Sequence, residues 1–82
     1  MLEDVASADV VITNPEHYSV AIKYDGDAMQ APVVVAKGAD LMAFAIRDRA
    51  NAHQIPVLRV PALTRAIYYV TEIGGEIPAG LY

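Results

Sequence analysis

The chain has 82 residues, 55% of them hydrophobic, and ten acidic residues against six basic ones leave a formal charge of −4. That length holds one small domain, and an acidic balance without any run of Lys or Arg argues against nucleic acid as a partner and against adsorption to anionic lipid. The absence of cysteine excludes disulfides and thiolate metal sites, no apolar stretch approaches the roughly 18 residues of a membrane span, and Met1-Leu2-Glu3-Asp4 lacks the basic start of a signal peptide.

In chain order the pattern is strand, strand, strand, helix, strand, helix, which predicts an α/β domain with a small four-stranded mixed sheet and flanking helices. Met1–Val5 looks like the remnant of an element, and with the abrupt end at Tyr82 this predicts that the single soluble domain, residues 1–82, is a fragment of a longer protein. Val10-Val11-Ile12 is a short apolar strand. Residues 18–24 alternate, placing Tyr18, Val20, Ile22 and Tyr24 on one face and Ser19, Ala21 and Lys23 on the other. Asp25-Gly26-Asp27 supplies turn chemistry. Pro32–Ala36 is a β-branched strand, with Gly38 expected to end it and open a helix from Ala39 to about His53. A short strand over 56–60 would then complete a right-handed βαβ unit with its two strands parallel. Pro61 starts the last helix and Gly74-Gly75 stops it, while Pro78 is placed to begin another.

The chemistry concentrates at Thr13-Asn14-Pro15-Glu16-His17-Tyr18, in the connection between the first two strands. An asparagine side-chain nitrogen can attack its own backbone carbonyl, closing a succinimide and expelling the next residue's nitrogen. The competing deamidation route uses the main-chain N–H of the following residue, which Pro15 lacks. A connection pinned by strands at both ends supplies the proximity such an attack needs, and His17 lies near enough in sequence to relay a proton. The plainer alternatives are an uncut turn, and a His17 ring bonded to a loop carbonyl.

Other features read more simply. Glu16, His17 and His53 do not make a metal site, because two are adjacent and the third lies at a helix end; neither a metal nor a cofactor is implied. Tyr18, Tyr24, Tyr68 and Tyr69 are expected in the core or at its rim. Lys37-Gly38 reads as a strand-to-helix turn rather than a phosphate loop. Arg65 is either a partner contact or a salt-bridge anchor. A free-standing small-molecule enzyme fits the fold class but lacks a convergent catalytic set beyond residues 14–17.

The segment from Asp9 through Tyr24 resembles the autocleavage region of the FlhB/YscU/SctU family of type III export proteins, whose signature is Asn-Pro-Thr-His. Ala31–Asp40, Ile55–Leu58 and Pro61–Tyr68 resemble the family's later strands and final helix, and Glu72–Pro78 is closer to flagellar than to injectisome members. The resemblance implies a cytoplasmic domain of an inner-membrane export component that cuts itself between Asn14 and Pro15. It implies halves that stay associated, with the N-terminal segment as a partner of the rest, and a switch in export-substrate specificity driven with a length-sensing ruler protein and other gate components. Asn14, Pro15 and His17 would carry the reaction in a single turnover, not as a turnover enzyme. Glu16 departs from the signature, whether as a natural variant or an engineered substitution. Its carboxylate is expected to modulate the loop, either by acting on the adjacent His17 ring or by accepting a hydrogen bond from the Asn14 amide and reorienting it, slowing cleavage or abolishing it and leaving an uncut interaction domain.

Overall fold

The computed structural model describes residues 1–27 and 30–82. After a 3₁₀ turn over Leu2–Ser7 come strands β1 (Val10–Asn14), β2 (Tyr18–Lys23) and β3 (Val33–Ala39), helix α1 (Leu41–Ala52), strand β4 (Val57–Arg59) and helix α2 (Pro61–Val70). A further 3₁₀ turn, Ala79–Leu81, follows Pro78. The sheet order is β3-β2-β1-β4, with β1 antiparallel to β2, β2 antiparallel to β3, and β1 parallel to β4. The expected four-stranded mixed sheet with flanking helices is therefore the fold.

Both faces of the sheet are buried. On one, Val5, Val11, Ala21, Ala36, Ile46 and Ala50 join the first turn, the sheet and α1. On the other, Ile12, Val20, Val34, Ile67 and Ile77 join the sheet, α2 and the tail. Period-2 alternation explains the division, since Val11 and Ile12, or Val20 and Ala21, point to opposite faces and each finds a different helix. Small residues on the α1 side, Ala21, Ala36 and Ala50 among them, let that helix approach the strands closely.

Two expectations need correction, the end of β3 and the start of α1. Strand β3 does not stop at Gly38: Gly38 pairs with Ser19 and Ala39 with Tyr18, so α1 begins at Leu41 rather than Ala39. The turn between them is made by Asp40, whose φ of 53° ends the pleat. Strands β3 and β4 run in the same direction but do not pair. They lie on opposite edges, and the parallel partner of β4 is β1, because β2 and β1 already occupy the middle. The ladder to β1 does extend over the whole expected segment, since Val11 N–H donates to the Pro56 carbonyl and Val60 N–H to that of Thr13, each at 2.9 Å. The Asp25-Gly26-Asp27 turn closes as expected, with Asp27 N–H on the Asp25 carboxylate at 3.0 Å.

Gly38 has a packing role the sequence did not advertise. A Cβ built there would lie 2.3 Å from Met42 Cγ and 2.7 Å from Met42 Cβ, so only glycine lets the first turn of α1 fold back over β3. The buried Ser19 hydroxyl ties that turn to β2 by donating to the Ala43 carbonyl at 2.9 Å. Gly38→Ala is expected to lower unfolding stability by about 1–3 kcal/mol through overpacking, measured by urea denaturation.

Candidate functional site

Asn14 is the last residue of β1, pairs with Tyr18, and is half-buried. Pro15 has φ near −65° by ring closure, Glu16 has φ of 77°, and the His17 N–H donates to the Asn14 carbonyl at 3.0 Å. These are the marks of a type II turn with proline at its second position. The third position requires positive φ and is normally glycine or asparagine, so Glu16 sits in a conformation its Cβ disfavours by about 1–2 kcal/mol. The turn is clamped from outside as well, because Asp40 N–H donates to the His17 carbonyl at 2.9 Å.

The structure thus brings Asn14, Pro15 and His17 into one closed turn, but His17 enters it through its backbone. Its exposed ring makes no hydrogen bond among the described residues and lies tilted toward Tyr18, with centroids 6.4 Å apart. The loop-carbonyl bond considered for the ring is not formed; the amide instead meets the carbonyl of the Asn14–Pro15 bond. Glu16 does not accept a hydrogen bond from the Asn14 amide as expected: its carboxylate is solvent-exposed, and among the described residues the Asn14 carboxamide has no hydrogen-bond partner. What Glu16 contributes to the turn's geometry is its φ of 77°. Sequence reasoning missed both the His17 amide and Asp40, because backbone donors carry no residue signature.

An aromatic cluster flanks the turn on the α2 side. Tyr18 packs on Tyr68 with centroids 4.5 Å apart and on Tyr69 at 5.7 Å, and its hydroxyl is hydrogen-bonded to that of Tyr69. Lys37 Nζ donates to the Tyr68 carbonyl at 2.7 Å while lying over the Tyr68 ring. Tyr18 and Tyr68 are half-buried, as expected of rim residues, but Tyr69 is 68% and Tyr24 51% exposed, so these two are surface groups. The Tyr69 hydrogen bond, reinforced by desolvation, raises the Tyr18 phenol above its ordinary value of 10.0.

The remaining candidates lie elsewhere. His53 follows the far end of α1, a helix about 18 Å long at 1.5 Å per residue whose near end is at Asp40, and does not join Glu16 and His17. Arg65 is exposed on α2 and forms no ion pair among the described residues, so its salt-bridge reading is not met. Lys37 and Gly38 belong to β3 rather than to a turn. An open groove of about 420 Å³ is lined by Asp9, Val10, Ile22, Tyr24, Pro32 and Tyr82, about 14 Å along β1 from Asn14 at roughly 3.4 Å per residue. It is apolar, and its carboxylate is already engaged: Asp9 accepts the Tyr24 N–H at 2.6 Å. It offers no catalytic constellation.

The fold and turn define an α/β domain carrying an Asn-Pro bond at the tip of its central hairpin. A family model described as the FlhB HrpN YscU SpaS Family matches residues 1–82, and the chain belongs to that family of type III export-gate proteins. The flagellar biosynthetic protein FlhB of Salmonella typhimurium is 55% identical over 82 residues, covering 100% of this chain and 21% of its own length. Its Escherichia coli counterpart is 51% identical, with 100% and 22% covered. The chain thus spans about a fifth of the length of these relatives, and their flagellar character agrees with the reading of Glu72–Pro78. The crystal structure of the cytoplasmic domain of FlhB from Shewanella putrefaciens superposes with a TM-score of 0.95 at 46% identity, covering 99% of this chain and 62% of that one. A mutated EscU C-terminal domain at 23% identity shares the fold, with a TM-score of 0.94 over 99% of this chain and 81% of that one.

Two outcomes are expected at this site. Glu16→Gly should raise stability by about 0.5–1 kcal/mol in chemical denaturation, because relief of the positive φ exceeds the added entropy of glycine in the unfolded chain. Tyr69→Phe should lower the Tyr18 phenol toward its ordinary value in an ultraviolet pH titration, because the largest cause of the rise is then removed. Since the folded value is raised, the stabilisation from this pair is present below pH 10.0 and is lost as pH rises through the folded value.

Proposed function

We propose that the chain is the self-cleaving, substrate-specificity-switching domain of a bacterial type III protein export apparatus, cut once between Asn14 and Pro15. The observation that carries this reading is the hydrogen bond from the His17 amide to the Asn14 carbonyl, which is the carbonyl under attack. Asn14 Nδ2 adds to that carbon and gives up a proton, which His17, three positions along the same turn, is close enough in sequence to relay. Negative charge then develops on the Asn14 oxygen, where the His17 N–H is already aimed, as donors are in an oxyanion hole. Collapse of the adduct breaks the bond to Pro15; the proline nitrogen takes up a proton and leaves as a new amino terminus. The succinimide left at residue 14 is opened by water, so the net change is hydrolysis of one peptide bond. One chain is consumed per event.

Cutting would not separate the pieces. β1 is hydrogen-bonded to β2 on one side and β4 on the other, and residues 1–14 place Val5, Val11 and Ile12 in the two cores. Each such side chain stabilises the assembly by about 1.5–3 kcal/mol. The cut instead frees the turn, opening the His17 bond and allowing Glu16 to leave its disfavoured φ, which remodels the surface beside the tyrosine cluster and Arg65. Export substrates, a length-sensing ruler protein and other gate components are the partners this remodelled surface would meet. The domain would act at the cytoplasmic face of the inner membrane as part of a longer integral membrane protein. Among the described residues no helix is long and apolar enough to cross a membrane.

A second reading is an uncut interaction domain of the gate, favoured by the cost that Glu16 adds to the aligned turn. Intact mass under denaturing conditions separates the two. On incubation at neutral pH the chain should yield two fragments divided after Asn14, which Asn14→Ala abolishes and which co-elute in native gel filtration. A single unchanged mass over days would establish the uncut domain.

A further inference from the structure

We propose that Asp40, at the junction of β3 and α1, is a positioning residue for the cleavage at Asn14. This rests on the self-cleavage reading above. Asp40 has φ of 53° and ψ of −117°, a region that L residues rarely adopt. Nothing in its own side chain accounts for this: the carboxylate is exposed and makes no capping bond to α1. The conformation instead divides the two backbone groups of Asp40 between two elements. Its N–H donates to the His17 carbonyl at 2.9 Å, and its carbonyl accepts the Phe44 N–H at 3.2 Å as the first bond of α1.

His17 is therefore held by both of its backbone groups, its N–H on the Asn14 carbonyl and its carbonyl on Asp40. The anchoring end does not yield, because Ser19 bonds the Ala43 carbonyl and Gly38 packs directly under Met42, locking the start of α1 to β2 and β3. Glu16, at φ of 77°, lies inside this clamp. Without the Asp40 bond, the turn would be free to relax from that disfavoured conformation and carry the His17 amide away from the position where the oxyanion forms. Asp40 touches no reacting atom; it holds the donor that does.

The test compares cleavage rates, by intact mass, of the parent chain, Asp40→Asn, Asp40→Gly and Asp40→Val. Asparagine and glycine accept positive φ and should cut within about twofold of the parent, whereas a β-branched residue should slow cutting by about tenfold or more, roughly 1.4 kcal/mol on the barrier. A purely structural loss is distinguished by amide hydrogen exchange in an Asn14→Ala background. There Asp40→Val should accelerate exchange at His17 while leaving Val20 and Ala21 in the sheet protected. Should Asp40→Val not fold, Asp40→Ala is read in the same two measurements. A folded variant that cuts at the parental rate, or that leaves His17 exchange unchanged, overturns the positioning role alone. A parent chain that gives no fragments overturns the cleavage reading and this role with it.

Discussion

Everything in this domain depends on β1 being bonded along both edges. It is antiparallel to β2 and parallel to β4, and its alternating side chains enter both cores, so Val11 meets α1 while Ile12 meets α2. A strand so placed cannot shift register without exchanging its two faces. Its last residue, Asn14, is consequently held in place, and the strain of the following turn cannot be relieved by sliding the hairpin. A peripheral strand, bonded along one edge alone, would not hold the turn in this way.

The turn uses backbone groups for work that side chains are usually invoked to do. Pro15 sets one dihedral and removes the competing N–H, Glu16 supplies the positive φ at a cost, and the His17 amide contacts the carbonyl where charge would develop. Preorganised donors of this kind are effective because they require no reorganisation as charge appears. The tyrosine cluster and Lys37 close the α2 side of the same region, tying the end of that helix to β2 and β3. Two non-glycine residues at positive φ, Glu16 and Asp40, are linked through His17, an economy seen only when the turn and the strand-to-helix junction are considered together.

Much of the fold was legible in the sequence because its elements follow local periodicity. Residues 18–23 alternate, Pro61 stands at a helix start, and the Asn-Pro pair falls between two apolar strands. The end of β3 departs from the local pattern because Gly38 looks like punctuation, whereas it is a strand residue stripped of its side chain to admit Met42. Tyr24 and Tyr69 depart from it for a related reason: their spacing places them on apolar faces, yet they are 51% and 68% exposed.

The sequence by itself determined the fold class, the place of the Asn-Pro pair between two strands and the lack of a main-chain N–H after Asn14, since these follow from covalent chemistry and short-range patterns. Tertiary structure alone decided that β4 pairs with β1 and that Asp40 reaches back to His17. These are matters of which backbone N–H meets which carbonyl across 23 positions of chain or more. Backbone groups are the same in every residue except proline, so their partners are settled only when packing has set the distance between elements.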